Sequence, residues 1–221
     1  MAADDGIAYT EAIGTYMEAW AHLHAFELDR ACRDFTRATG RRHILHTRTA
    51  VDAIAGLALT HQLLQQHGES ETALDCLQDF ARDDPLLLSV AESCRARLDL
   101  LRGNLSSALE WARSGDLAPQ PLELYIWLEV PAITRAKVLI EAGTKESLSN
   151  AVDLLEGEII SLLEDDDHMV RAGAAATLAG GNSPTSIRAL EAAGQPAKER
   201  LPIQQAALKN AQQRLAETQA E

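Results

Sequence analysis

The sequence is poor in the residues that support β-rich folds and nucleic-acid grooves. Aromatic residues make up only 4% of its 221 residues, while 46% are hydrophobic and Ala and Leu abound, which favours helices over strands. Lys and Arg number 20 against 33 Asp and Glu, a net charge of −13. Because phosphate contact needs clustered cations, this balance argues against direct binding of nucleic acid.

Cysteine is also scarce. Cys32, Cys76 and Cys94 form an odd set without a short paired spacing, which argues against a disulfide framework and against a zinc site. Each lies in an apolar stripe, where a free cysteine behaves as a small core residue. We therefore expect a reducing, cytoplasmic location.

Long hydrophobic runs are missing as well. The longest, near Ala53–Leu59, is far shorter than the roughly 20 residues that cross a bilayer. The acidic start of the chain lacks the basic-then-apolar pattern of a signal peptide. The sequence therefore predicts neither a membrane span nor a leader.

Apolar residues recur at three- and four-residue spacings along most of the chain, as they do in amphipathic helices. One helix is expected over residues 1–40, ending at Gly40, and a long stripe then runs from Ile44 to Leu63. Pro131 is expected either to begin the regular part of its helix or to kink it. The later helices are expected at 70–82, 86–102, 104–114, 123–142, 145–163 and 184–193, with a last one carrying Leu201 to Leu215.

Glycine hinges organise these helices into pairs. Gly68 and Gly103 lie 35 residues apart and are followed by matching segments, Thr72–Asp75 and Ser107–Glu110, and Gly143 forms a third hinge. A unit recurring at about 34 residues is typical of helical solenoids, and short hinges make neighbouring helices antiparallel. The predicted fold is an all-α, right-handed solenoid of helical hairpins.

Residues 44–158 resemble the tetratricopeptide (TPR) family. The segments 51–60, 96–103 and 127–134 more closely resemble the MalT-like TPR region of large ATP-dependent LuxR-type regulators. The resemblance implies a region that senses an effector or a protein partner. The chain has neither a phosphate-binding Gly-rich lysine loop nor a basic recognition helix, so the family's ATPase and DNA-binding roles are not carried over.

The carboxyl-terminal part resembles a HEAT-like repeat. An acidic run at 165–167 precedes Val170-Arg171, Ala174-Ala175 and Leu178, and Ala174 recurs as Ala207 after 33 residues. The expected organisation is a capping helix at 1–43, TPR-like repeats at 44–163 and HEAT-like helices at 164–221.

Motifs for catalysis and metal binding are missing. There is no Gly-x-Ser-x-Gly, no His-Glu-x-x-His and no Gly-rich dinucleotide turn. His43 and His46 share a helix face but lack further ligands at matching spacing, and Glu164–Asp167 suits a helix N-terminus better than a metal. We therefore predict no catalytic residue, no cofactor and no metal.

Binding residues follow from the resemblance. In TPR folds the first helix of each pair lines a concave groove, which implies that Arg48, Asp52, Arg97 and Glu129 project into it. Trp127 is either a core residue or an exposed anchor beside them. The hypothesis is a non-enzymatic module that binds a protein or peptide partner through this surface, with basic or neutral partners favoured by the net charge.

Three alternatives stay open. In the first, the chain is an effector-sensing fragment of a transcription regulator that responds to a small molecule. In the second, it is a HEAT-like chromophore lyase with a deep pocket. In the third, an uncovered stripe from Leu201 to Leu215 forms a dimer.

Overall fold

The computed structural model describes residues 2–114, 127–164, 171, 174–175, 178 and 184–193. These residues are helical or lie in connections, and none of them is in a strand, so the all-α prediction is confirmed for them. The α-helices with defined bounds are α1 (Ala2–His24), α2 (Leu28–Gly40), α3 (Thr47–Leu63), α4 (His67–Ala81), α5 (Pro85–Leu101), α6 (Leu105–Ser114), α7 (Pro131–Ala142), α8 (Lys145–Ser161) and α9 (Pro184–Ala193).

The chain divides into two compact units, Met1–Ser147 and Leu148–Glu221. Helices α1–α7 belong to the first unit, and most of α8 and all of α9 belong to the second. In the described ranges, no helix is both long enough and apolar enough to cross a bilayer.

Two helices begin at a proline, and for Pro131 this is one of the two outcomes expected from the sequence. Helix α5 begins at Pro85, and the Asp84 carboxylate caps it by accepting hydrogen bonds from the amides of Leu86 (2.9 Å) and Leu87 (3.3 Å). Helix α7 begins at Pro131, whose missing N–H costs nothing in a first turn. The predicted helix over 123–142 is therefore wrong at 127–130, which lie in a connection, and 123–126 lie outside the described residues.

Three hairpin turns in the first unit share one backbone geometry. A left-handed residue stands two positions before the second helix of each pair: Phe26 (φ 61°), Gln65 (φ 61°) and Gly103 (φ 79°). The amide of the next residue then bonds to a carbonyl five positions earlier, at 2.8–2.9 Å, as in a Schellman motif. Gly143 (φ 66°) has the same place before α8.

These turns correct the predicted repeat. The left-handed residues follow one another at intervals of 39, 38 and 40 residues, so pairing Gly68 with Gly103 at 35 was wrong. Gly68 lies in the first turn of α4, and Gln65 is the true hinge. The turn at Phe26 likewise divides the single helix predicted over 1–40 into α1 and α2. Neither hinge is a glycine, so glycine spacing could not reveal them.

Contacts between helices organise the first unit. Each helix from α1 to α6 packs on the next one along the chain. In addition α1 packs on α3, α3 on α5 and α5 on α7. Helices α1, α3, α5 and α7 therefore form one continuous layer, which we call the odd-helix layer.

The largest apolar cluster lies between α3, α4 and α5. Cys94 is fully buried there, as predicted, whereas Cys32 and Cys76 are only half-buried. Trp111 is half-buried and packs against the cluster of Ala108, Ala112 and Val138. The other buried members of the largest cluster include Val51, Ile54, Leu59, Leu74, Leu77, Val90 and Leu98.

A polar bridge ties α5 to the preceding hairpin. The Arg102 guanidinium donates to Gln62 Oε1 (2.7 Å) and Ser70 Oγ (3.2 Å) and pairs with Glu71. Ser70 in turn donates to the carbonyl of Ala58 (3.0 Å). Successive hairpins are thus held by hydrogen bonds at their ends as well as by apolar packing.

The second unit has its own apolar cluster. Helix α8 is followed by a 3-10 turn, Leu162–Glu164, and α9 has the bounds predicted from the sequence. The buried members of the cluster are Leu163, Ala174, Ala175, Leu178, Ile187 and Leu190. The acidic run at 165–167, Val170 and the predicted helix from Leu201 to Leu215 lie outside the described residues.

Candidate functional site

The five residues predicted to bind a partner meet on the odd-helix layer. Arg48 and Asp52 lie on α3 and Arg97 lies on α5. Trp127 and Glu129 belong to the stretch that leads into α7, residues Trp127–Val130, which we call the crossing segment. Arg48, Asp52, Arg97 and Glu129 join in one hydrogen-bonded network, and Trp127 stacks on Arg48.

Asp52 is the centre of the network and is fully buried. Its carboxylate accepts hydrogen bonds from the amides of Leu128 (2.9 Å to Oδ2) and Glu129 (3.0 Å to Oδ1). It also accepts one from the Tyr16 hydroxyl (2.7 Å) and one from Arg48 Nη1 (3.3 Å). A carboxylate can accept this many bonds, so its burial is compensated by donors on every side.

Local helix geometry brings two of these groups together. Arg48 and Asp52 are four residues apart on α3, which places them on one face of the helix one turn from each other. Tyr16 reaches Asp52 from α1, which packs on α3. The network therefore depends on contact between neighbouring odd-numbered helices.

The carbonyl groups of the crossing segment are held as well as its amides. Arg97 Nη1 donates to the Leu128 carbonyl (2.8 Å), and Arg48 Nη2 donates to the Glu129 carbonyl (2.6 Å). With Asp52 bound to the two amides, every backbone polar group of two consecutive residues has a side-chain partner on α3 or α5. The layer thus holds a non-helical backbone without a β-sheet.

The Glu129 side chain occupies a polar pocket and is fully buried. Its Oε1 accepts from the hydroxyls of Ser93 (2.5 Å) and Thr134 (2.6 Å), and its Oε2 accepts from Arg97 Nη1 (3.0 Å). Two hydroxyls and a guanidinium are a donor set suited to a carboxylate.

Leu128 packs into an apolar pocket whose depth depends on Gly56. A Cβ added at Gly56 would lie 2.5 Å from the Phe35 ring and 2.9 Å from Leu128 Cδ1. Leu128 joins the cluster that includes Tyr16, Phe35 and Ala53. Glycine is therefore needed here for close packing between the crossing segment and α3.

Trp127 remains half-buried beside this pocket. The Arg48 guanidinium carbon lies 4.5 Å from the Trp127 ring centroid, a cation–π distance. The side chains of Arg48 and Arg97 are 15% and 25% exposed to solvent, respectively. The accessible edge of the site is thus aromatic and cationic, while Asp52 and Glu129 lie beneath it.

Burial governs the protonation of the groups around the network. Burial raises the pKa of Asp52, against the opposing effects of Arg48, the two amides and the Tyr16 hydroxyl. The pKa of Tyr16 is held well above its ordinary value by burial and then by the charge of Asp52. Burial, followed by the nearby charge of Glu129, raises the pKa of the Cys94 thiol, which disfavours the nucleophilic thiolate.

The pKa of one lysine near the network, Lys137, is also shifted. Burial, and next the charge of Arg97, lowers the pKa of Lys137 on α7, while Glu129 acts in the opposite direction. Lys137 thus lies close enough to Arg97 and Glu129 to interact with both charges.

Sequence reasoning missed Tyr16, Ser93, Leu128 and Thr134. Tyr16 packs in an apolar cluster, and only its hydroxyl takes part in the network. Ser93 could have been recognised from the sequence as a buried polar contact, because it is a polar residue close to Ala91 and Cys94 on a buried face. Such interruptions of an apolar stripe are where buried polar contacts are expected.

No group of three or more His, Cys, Asp or Glu side chains in the described part of the chain is arranged to hold a metal ion. Comparison with known proteins gives no match, whether with protein families, with curated proteins or with solved structures. The functional argument therefore rests on the geometry of the site itself.

Proposed function

We propose that the protein is a non-enzymatic interaction module that binds an extended segment of a protein or peptide partner on the odd-helix layer. The observation that carries the proposal is the treatment of Leu128 and Glu129, whose backbone amides and carbonyls are all bonded to Asp52, Arg48 and Arg97. Backbone groups are common to every peptide, so side chains placed in this way suit an extended chain.

In the proposed architecture, the first unit is a right-handed, TPR-like solenoid whose odd-helix layer lines the concave side. The near-constant interval between the hairpin turns supports a repeated unit. Contacts between successive odd-numbered helices support stacking of these units. Repeat proteins of this kind present extended surfaces because each unit buries its apolar face only against its neighbours.

The chemistry of the accessible edge favours binding over catalysis. Trp127 and Arg97 are the residue types most often found among the energetic anchors of protein interfaces, and both keep part of their surface exposed. The buried groups behind them are fully hydrogen-bonded to one another, and the Cys94 thiol is held in its protonated form. The net charge of −13 steers basic or neutral partners towards the molecule.

Site-specific photo-crosslinking tests the proposal. A photoreactive phenylalanine analogue replaces Trp127, and the matched control replaces Asp79 on α4, whose side chain is 75% exposed. Circular dichroism establishes that both variants are folded. We expect one protein partner to be captured through position 127 and not through position 79. Equal capture from the two positions, or no capture through position 127, would refute binding on this layer.

A further inference from the structure

The crossing segment shows which peptide the odd-helix layer is built to hold. We propose that Trp127–Val130 is a built-in ligand, and that the partner presents the same chemistry and displaces it: an extended segment with a large aliphatic residue followed directly by glutamate. This inference rests on the proposed function and specifies its ligand.

The glutamate requirement follows from the donors around Glu129. Oε2 lies 3.0 Å from Arg97 Nη1, so this position needs an acceptor, and a glutamine rotated to place its nitrogen there would set a donor against the guanidinium. Turning the amide the other way would leave nitrogen against the hydroxyls of Ser93 and Thr134, which must then both act as acceptors. In the second orientation the hydroxyl protons of Ser93 and Thr134 would need other acceptors, whereas a carboxylate accepts from all three donors and complements the charge of Arg97.

The aliphatic requirement follows from the pocket at Gly56. The side chain of Leu128 fills the space that a Cβ on α3 would occupy, against the Phe35 ring. The adjacent backbone is fixed at the same time by Asp52, so the aliphatic and acidic side chains must be consecutive. A partner therefore needs both residues in this order for both pockets to be filled.

The crossing segment can leave without unfolding α7. Helix α7 begins immediately after it at Pro131 and is anchored by residues of its own, which include Ala132, Ala136, Val138 and Leu139. Besides the apolar contacts of Leu128, the segment is held by one ion pair, Arg97–Glu129, and by hydrogen bonds to Asp52, Arg48 and Arg97. The desolvation of buried charges offsets much of their attraction. Local opening of such a segment, with the helices intact, is the kind of sub-global motion that folded proteins make.

Displacement has a quantitative signature. A tethered segment acts at an effective concentration on the order of millimolar, so a free peptide binds only in proportion to the fraction of open molecules. Weakening the internal ligand should therefore strengthen binding of an external one. A purely structural anchor predicts the reverse, because weakening it damages the site.

Hydrogen exchange provides the first test, made on the full chain without a partner. We expect the amides of Leu128 and Glu129, which bond to Asp52, to exchange at least tenfold faster than those of Leu98 and Cys94 in the core of α5. Exchange of all four amides at the rate of global unfolding would overturn the inference.

Peptide binding provides the second test. The probe is a fluorescent, end-blocked peptide of sequence Trp-Leu-Glu-Val-Pro, and its control carries glutamine in place of glutamate. We expect Leu128→Ala protein to bind the probe at least tenfold more tightly than the unmodified protein, and to bind the control at least tenfold more weakly than the probe. Equal binding of the two peptides, or no gain from Leu128→Ala, would overturn the inference.

Two further variants keep the result interpretable. If Leu128→Ala does not fold, Trp127→Ala serves instead, since it removes only the half-buried stacking partner of Arg48. Adding Arg97→Gln should abolish the preference for glutamate, because Arg97 contacts the carboxylate directly. Partner capture through position 127 with no peptide preference would reject the ligand assigned here while leaving the proposed function intact. Loss of both would reject the two together.

Discussion

The carboxylate of Asp52 holds the backbone amide of Leu128 at 2.9 Å, although the two residues are 76 positions apart in the chain. This contact fastens the entry of α7 to α3, two hairpins earlier. The layer of odd-numbered helices is thus joined by polar contacts to backbone as well as by apolar packing, and its integrity and its proposed ligand depend on the same few side chains.

Replacing Asp52 by Asn should destabilise the protein by about 2–4 kcal/mol, because one carboxylate oxygen becomes a donor facing other donors. Urea unfolding followed by circular dichroism measures the change. Asp79→Asn, a change at an exposed ion pair on α4, is the matched control and should cost at most about 0.5 kcal/mol. Similar losses from the two variants would show that the network contributes no special stability.

Two glycine-to-alanine changes should have opposite effects on the stability of the protein. Gly56→Ala should cost about 1–3 kcal/mol, because the new methyl group would clash with Phe35 and Leu128. Gly14→Ala on α1 meets nothing within 4 Å and should stabilise by about 0.5–1 kcal/mol through lower backbone entropy in the unfolded chain. Thermal unfolding of both variants tests this, and a stable Gly56→Ala protein would contradict the close packing described.

The hinge at Gln65 carries backbone strain that glycine should relieve. Its φ of 61° lies in the left-handed region, so Gln65→Gly should stabilise by up to about 1 kcal/mol. The neighbouring Gln66, with φ −91°, has no such strain, and Gln66→Gly should bring no gain. Denaturant midpoints of the two variants distinguish this geometry from a general preference for glycine in the turn.

Alkaline pH should destabilise the protein through Tyr16. Its pKa is raised in the folded state, so the unfolded chain releases the phenolic proton first, and the contribution of Tyr16 to stability falls as pH rises above about 10. The Tyr16→Phe protein has no phenolic proton at this position and serves as the reference. The stability difference between the two proteins should therefore shift against the unmodified protein by about 1.4 kcal/mol per pH unit. Urea unfolding between about pH 9 and about pH 11 measures it, and a constant difference would place Tyr16 in water rather than against Asp52.

Local signals account for the parts of the fold that were predicted correctly. Two kinds of signal, the proline at 131 and the apolar periodicity of α5, α6 and α9, act within a few residues. Each can therefore be recognised without the rest of the molecule. The hinges at Phe26 and Gln65 could not be recognised, because their left-handed conformation is imposed by the surrounding turn and not by the residue type.

The candidate site was only half accessible to sequence reasoning. The resemblance to repeat proteins pointed to Arg48, Asp52, Arg97 and Glu129 as a group, and the structure places them together. The expected open surface is at that point occupied by the chain's own crossing segment. Tyr16 and Ser93, each 36 positions from its partner, had no spacing that linked them to it.

Amino-acid order alone determined that this chain is helical and where several helices begin, because helix periodicity, proline and capping act over one or two turns. The tertiary structure decided which charges are buried. Asp52 and Glu129 look like solvated groove residues in the sequence, and they can be buried only because donors distant in the chain converge on them when the helices stack. Hydrogen bonding over such distances depends on the assembled fold, and no local pattern encodes it.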